Sequence, residues 1–353
     1  MEFGIGTSGQ LLLPAGALVG LTCSTLWTSL GIYTKNLSRA YDSELGKNSE
    51  TEGSLGFFNG ITDRAAPQLG GLTALTGSTL LLTLTGSRKL LYSLVTASLV
   101  TGNLLFLLLP KHGDTDPTEI PQKTADSDAP RRSFIQSLMA VPRLLLTSSA
   151  ARKISLCYLS VGFSQSYTTG SFTADAVAKE VGPAFVGAIM ATNNTMEVVS
   201  ALLFGRLSDK LGRYPCYLGA LLFELVNPLF FALFPVVVNG NRKTLMVFLA
   251  ACLGIGSGGC TCCLRSLVGD LFQGEEETST AMSTTFFVLS FTAGSGFYLG
   301  PNYGLRTKAR LYLCLIMLSL FGSSAAVSAL KSKPAQKQAE LAAAPSSEAT
   351  SIA

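Results

Sequence analysis

The apolar residues of this chain are gathered into blocks of about twenty, and this spacing constrains the fold more than any other feature. An α-helix rises about 1.5 Å per residue, so about twenty residues cross a hydrocarbon layer about 30 Å thick. The sequence therefore predicts an all-α, polytopic membrane helical bundle. About nine blocks have this length, at approximately residues 11–31, 55–85, 88–110, 154–176, 184–205, 216–238, 245–269, 280–300 and 310–330.

Composition argues against a soluble enzyme, because only 14% of the residues are charged whereas soluble domains carry roughly 25%. The single histidine, His112, lies in a polar stretch, which speaks against imidazole catalysis and His-rich metal sites. The cluster Cys260, Cys262 and Cys263 has no second cluster to complete four ligands. We predict buried thiols there, and neither an enzyme nor a bound metal or cofactor.

The predicted spans fall into groups of three and six, separated by a long polar stretch. Residues 111–153 contain four prolines and mixed charges, and predict a linker with an interfacial helix. Residues 1–110 then form a partial N-terminal helical half, and residues 154–330 a C-terminal six-helix half. Residues 331–353 are rich in Ala, Ser and Pro and predict a disordered tail.

Orientation follows from the distribution of Lys and Arg. Loops on the side of the linker carry about twice as many of these residues as the opposite loops. The sequence therefore predicts a multi-pass protein whose linker and tail are cytoplasmic. The net charge of +4 suits contact with anionic lipid better than with nucleic acid.

A short loop follows the span 184–205. Its glycines permit close backbone approach, and its charged residues can meet helix ends. A plainer interpretation is a basic cytoplasmic loop with turn glycines. The residues that carry the pattern are Gly205, Asp209, Lys210, Gly212 and Arg213.

The spacing G-x-x-x-D-[RK]-x-G-R resembles the signature loop of the major facilitator superfamily. Residues 11–35, 55–60 and 261–272 are similar to segments of its uncoordinated-ninety-three branch, which contains ion channel regulatory proteins. The resemblance implies a facilitator fold whose first three helices have no counterpart here. It leaves three alternatives: a truncated product, a protein that works without transport, or an incomplete gene model. The chain has Thr261-Cys262 where the branch usually carries Thr-Gln, which puts a polar contact in doubt.

Polar residues inside spans are the candidates for a substrate or ion route, because charged groups in a bilayer usually face a cavity or a partner. Asn193 and Asn194 lie four and three residues before Glu197, on one helical face. Glu197 and Glu224 lie at similar depth, and Arg265 is a candidate counter-ion. The alternative is that these groups hold helices together by hydrogen bonds.

Two functions of different class remain open at this point. One is transmembrane transport of a small solute or ion through the route just described. The other, implied by the resemblance, is a non-transporting accessory protein that regulates a potassium channel or escorts a receptor. The expected partners are accordingly the lipid bilayer, an unknown small solute or ion, and a channel or receptor subunit.

Overall fold

A computed structural model describes residues 27, 29–46, 53–69, 134–182, 185–234, 242–272, 274–299 and 302–343, together with scattered positions between 90 and 104. These residues are almost entirely helical, and no strand occurs among them. The all-α class predicted from the apolar blocks is confirmed.

The helices are labelled here in chain order. Two of them contain π-helical segments, in which one turn holds an extra residue relative to an α-helix: Gly60–Ala65 in α2 and Tyr167–Val177 in α4. The bounds are 29–44 for α1, Leu55–Asn59 through 69 for α2, Phe134–Thr147 for α3, Ser149–Ser166 through Ala178–Glu180 for α4, Val186–Leu211 for α5, Arg213–Leu233 for α6, Arg242–Leu271 for α7, Glu275–Leu299 for α8 and Leu305–Ala343 for α9.

Each of the last six predicted spans coincides with one helix, from α4 to α9. Among the described residues, three helical segments are long and apolar enough to cross a membrane, at Arg213–Leu233, Arg242–Leu271 and Leu305–Ser328. Most of the first three predicted spans lies outside the described residues, as does most of the linker. Helix α9 continues to Ala343, into the segment predicted as a disordered tail, because its Ala, Lys, Gln and Glu residues favour helix.

The chain forms two compact units, residues 1–69 with 139–353, and residues 70–138. In the second unit the described positions between 90 and 104 are helical. All the residues discussed below belong to the first unit.

Helix α7 lies between α5 and α6. Close packing is possible because a row of small residues faces both neighbours: Gly254 packs against the backbone of Asn193 in α5, and Gly256 packs against Glu224 in α6. Helix α2 contacts α5 and α7, whereas α4 packs against α8 and α9. The largest fully buried side chains include four tyrosines and two phenylalanines, Tyr158, Tyr167, Tyr217, Tyr312, Phe172 and Phe231.

Candidate functional site

The residues predicted as a signature loop form the last turns of α5 and the first residue of α6, so the prediction of a loop that begins at residue 205 was wrong. The chain turns sharply at a single residue between the two helices. Helix α5 ends at Leu211, and Gly212 follows with a φ of 94°, a backbone conformation that favours glycine. The amide of Gly212 still donates to the Ser208 carbonyl at 3.1 Å. Helix α6 then begins directly at Arg213, so Asp209 and Arg213 stay close on either side of the turn.

Asp209 caps the beginning of α2, more than 150 residues earlier in the chain. Its two carboxylate oxygens accept hydrogen bonds from the backbone amides of Gly56 and Phe57, each at 2.8 Å. The first amides of a helix have no partner within the helix, and Ser54 at the start of α2 makes no side-chain cap. The carboxylate therefore neutralises the positive end of α2 from another helix.

Arg213 connects this cap to the end of α7. It forms an ion pair with Asp209, and its Nε donates to Asp270 Oδ2 at 3.2 Å. The side chains of Arg213 and Asp209 are only 14% and 12% exposed, so solvent screens their ion pair weakly, whereas Asp270 is 39% exposed. Arg206 packs over the ring of Phe57, 4.6 Å from the centroid, in a cation–π contact.

Two glycines allow α2 and α5 to approach closely. A Cβ added to Gly205 would lie 2.7 Å from the carbonyl oxygen of Gly56, and a Cβ on Gly56 would lie 2.6 Å from that of Gly205. Lys210, the remaining residue of the signature, is exposed. We call the end of the bundle that holds these contacts the signature end.

Glu197 lies where α2 meets the C-terminal helices. Its side chain is buried, and its carboxylate accepts hydrogen bonds from Gln68 Nε2 of α2 at 2.5 Å and from Ser257 Oγ of α7 at 2.7 Å. Asn193, one turn earlier, donates to the carbonyl of Ala250 at 3.1 Å. Glu197 thus joins a helix before the linker to helices after it.

Asn194 differs from Asn193 and Glu197 in its exposure. Asn193 and Glu197 are buried, whereas Asn194, which the sequence places on the same face, is half-buried. The predicted polar face of α5 therefore consists mainly of Asn193 and Glu197 in the described packing.

Glu224 has different surroundings, although the sequence places it at a similar depth. It is fully buried in α6 and accepts a hydrogen bond from the hydroxyl of Tyr312 in α9. The Tyr312 ring packs against those of Phe163 and Tyr167 in α4. These partners all follow the linker, so the contacts of Glu224 hold the C-terminal helices to one another.

Arg265 lies against aromatic rings. Its guanidinium carbon is 4.6 Å from the ring centroid of Phe286 in α8 and 5.4 Å from that of Trp27, and the residue is 4% exposed. Such contacts stabilise a cation in surroundings that exclude water. Arg265 therefore also touches a residue before the linker.

The cysteine cluster consists of buried free thiols, as predicted, at Cys260, Cys262 and Cys263. No group of metal-ligating side chains occurs among the residues that the structure describes. Cys262, at the position where the resemblance left a polar contact in doubt, donates through its thiol to the Gly56 carbonyl at 3.1 Å. The thiol thus supplies a contact between α7 and α2.

Sequence reasoning missed two residues of this region. Gln68, within the predicted span 55–85, is a polar residue in an apolar block, and that signal was available. Lys35 follows a span and has the position of an ordinary basic loop residue, yet it is only 5% exposed. Nothing in the local sequence indicates its burial.

Comparison with known proteins assigns the chain to a family. The sequence pattern of the Major Facilitator Superfamily matches residues 154–350, more than half of the chain. The chain belongs to the major facilitator superfamily. It is therefore an integral membrane protein, and its signature residues lie at the end of α5 and the start of α6, within the matched region.

Within the superfamily, the chain is similar to UNC93-like proteins. It is 26% identical to UNC93-like protein 3 of Arabidopsis thaliana over 330 residues, which are 87% of this chain and 65% of the relative. It is 24% identical to Protein unc-93 homolog A of Mus musculus over 343 residues, which are 88% of this chain and 72% of the relative. The chain thus spans about two thirds of the length of these relatives.

Proposed function

We propose that this facilitator-type protein moves a small solute or ion across a membrane by opening its two ends in turn. The observation that carries the proposal is the Asp209 cap on α2. It holds a helix that precedes the linker against helices that follow it, as closure of one end requires. Transporters of this superfamily bind their substrate near the middle of the membrane, between two such halves.

Glu197 is the best-supported route residue in this proposal. Two of its hydrogen-bond donors, Gln68 and Ser257, come from opposite sides of the linker, so movement of α2 changes its contacts directly. Arg265 is a second candidate, because it contacts Trp27, another residue that precedes the linker. Glu224 serves a structural role, because its partner Tyr312 lies within the C-terminal helices.

The proposed topology places the signature end on the cytoplasmic side, together with the linker 111–153 and the tail 331–353. The support is the excess of Lys and Arg in these segments. A protease site inserted after residue 345 should be cut in intact cells only by a cytosolic protease. Cleavage from outside would contradict this orientation.

Transport is tested with the purified chain in proteoliposomes that contain a pH-sensitive dye, challenged with a panel of labelled amino acids, sugars, organic acids and inorganic cations. We expect Glu197→Gln to abolish an uptake that the wild-type chain shows. Glu224→Gln is the matched control, because it changes a carboxylate of similar depth away from the junction. Equal uptake by both variants and the wild type would show that Glu197 is not part of the transport route.

The similarity to unc-93 homologues supports a second candidate, an accessory protein that assembles with a channel or receptor subunit. The same variants separate the two. An accessory protein shows no uptake with any member of the panel, and it co-purifies with its partner from native membranes whether residue 197 is Glu or Gln.

A further inference from the structure

Lys35 of α1 makes a contact at the signature end that lies outside the signature loop. Its Nζ donates to the Phe272 carbonyl at 2.7 Å and to Thr278 Oγ1 at 2.7 Å. The Thr278 hydroxyl itself donates to the same Phe272 carbonyl. The three groups are therefore linked to one another by hydrogen bonds.

The position of this contact in the fold favours a cation. Phe272 follows the last residue of α7, where the unpaired carbonyls give a helix its partial negative charge. Thr278 lies in the first turns of α8. A single ammonium thus joins α1 to the turn between α7 and α8.

Lys35 and the signature loop use different atoms at the same end of α7. Arg213 approaches through the carboxylate of Asp270, whereas Lys35 approaches through the carbonyl of Phe272. The burial of Lys35 matters here, because its side chain has left water for these contacts.

Helices α1 and α2 are held to each other beside these contacts. Asp42, near the end of α1, accepts a hydrogen bond from the backbone amide of Ser54 at 3.0 Å. Ser54 directly precedes α2, whose first amides bind Asp209. A force that releases either helix is therefore transmitted to the other.

We propose that Lys35, with Phe272 and Thr278, forms a second latch that keeps the signature end closed through hydrogen bonds that the signature loop does not make. This inference rests on the proposed function, since a latch has a role only where an end opens. Lys35 acts as a positioning residue that sets how often α1 and α2 separate from α7 and α8.

Cys262 provides a native reporter of that separation. It is fully buried, and its thiol faces the Gly56 carbonyl of α2. Displacement of α2 exposes the thiol to water. The experiment measures the rate at which a water-soluble maleimide modifies Cys262 in the full chain in lipid nanodiscs, with the site assigned by peptide mass spectrometry.

We expect Lys35→Met to raise the labelling rate of Cys262 about tenfold, because two hydrogen bonds from a charged donor are lost. Lys35→Arg keeps donors for both oxygens and should label within about twofold of the wild type. Arg39→Met, which removes an exposed charge one turn further along α1, is the matched control. A rate in Lys35→Met equal to that of Arg39→Met would overturn the proposal.

Independence is tested by combining Lys35→Met with Asp209→Asn. Two separate latches predict that the increases in rate multiply, whereas no increase beyond Asp209→Asn alone would refute a second latch. If Lys35→Met does not fold, Thr278→Val replaces it and should raise the rate severalfold; an unchanged rate there counts against the latch. The labelling experiment needs no substrate. If the variants label as expected but the chain transports nothing, the proposal of transport is refuted and the proposal of a second latch stands.

Discussion

Replacing Asp209 with alanine should loosen α2 from the rest of the bundle. The variant loses two hydrogen bonds of 2.8 Å to backbone amides and an ion pair to Arg213. A hydrogen bond to a charged group contributes about 1.5–3 kcal/mol, and loss of a helix cap costs about 0.5–2 kcal/mol. Since both bonds share one carboxylate, we take the lower value of about 1.5 kcal/mol for each of the two bonds, and expect a loss of about 3 kcal/mol.

The assay is thermal unfolding in detergent, followed with a dye that fluoresces on reaction with thiols. The described part of the chain holds six buried cysteines that report unfolding: Cys157, Cys216, Cys252, Cys260, Cys262 and Cys263. A loss of about 3 kcal/mol should lower Tm by about 5–10 °C. Asp209→Asn, which keeps one acceptor oxygen, should fall between the alanine variant and the wild type.

The control for this experiment is Glu44→Ala, which removes an exposed carboxylate from α1. It should leave Tm within about 1 °C of the wild type. If Asp209→Ala unfolds at the same temperature as Glu44→Ala, the carboxylate does not hold α2, and the reasoning from the capped amides is wrong.

Three further predictions follow from the described contacts. Gly205→Ala should lower Tm by several degrees, because the Cβ of the new alanine would collide with the backbone of Gly56. Gly294→Ala is the control in the same thermal assay and should leave Tm unchanged, because no atom lies within 4 Å of the added Cβ. Tyr312→Phe should cost about 1–3 kcal/mol in stability, because the buried Glu224 loses a hydrogen-bond donor, and an unchanged Tm would contradict this. Arg213→Lys should raise the rate of maleimide labelling of Cys262, because a single ammonium replaces the planar guanidinium that pairs with both Asp209 and Asp270. A labelling rate equal to that of the wild type would show that the two ion pairs are dispensable.

Helix positions were predictable because a span has a fixed length. The six blocks after residue 153 each predict one helix. The predicted end of α5 at residue 205 was wrong, because the helix continues to Leu211 and only Gly212 leaves the helical conformation. The partner of Asp209 could be expected only as a helix N-terminus. Its identity as α2 depends on a contact between positions 56 and 209, which no local pattern encodes.

Glu197 and Glu224 show what cannot be predicted by counting residues along a helix. Counting residues at about 1.5 Å each gives the depth of a side chain along its helix. It does not give the neighbouring helix that the side chain meets. That neighbour is set by packing, here by Gly254 and Gly256, which seat α7 between α5 and α6 and leave the two carboxylates with different partners.

The π-helical segment Gly60–Ala65 lies between the two points at which α2 is fastened, the amides of Gly56 and Phe57 at one end and the side chain of Gln68 at the other. One residue more or less in a helix rotates everything beyond it by about 100°. A change of this segment from π to α would therefore turn Gln68 away from Glu197 while the capped end stays in place. A change of pitch in one turn of α2 would thus make or break the contact between Gln68 and Glu197 without any movement of the capped end.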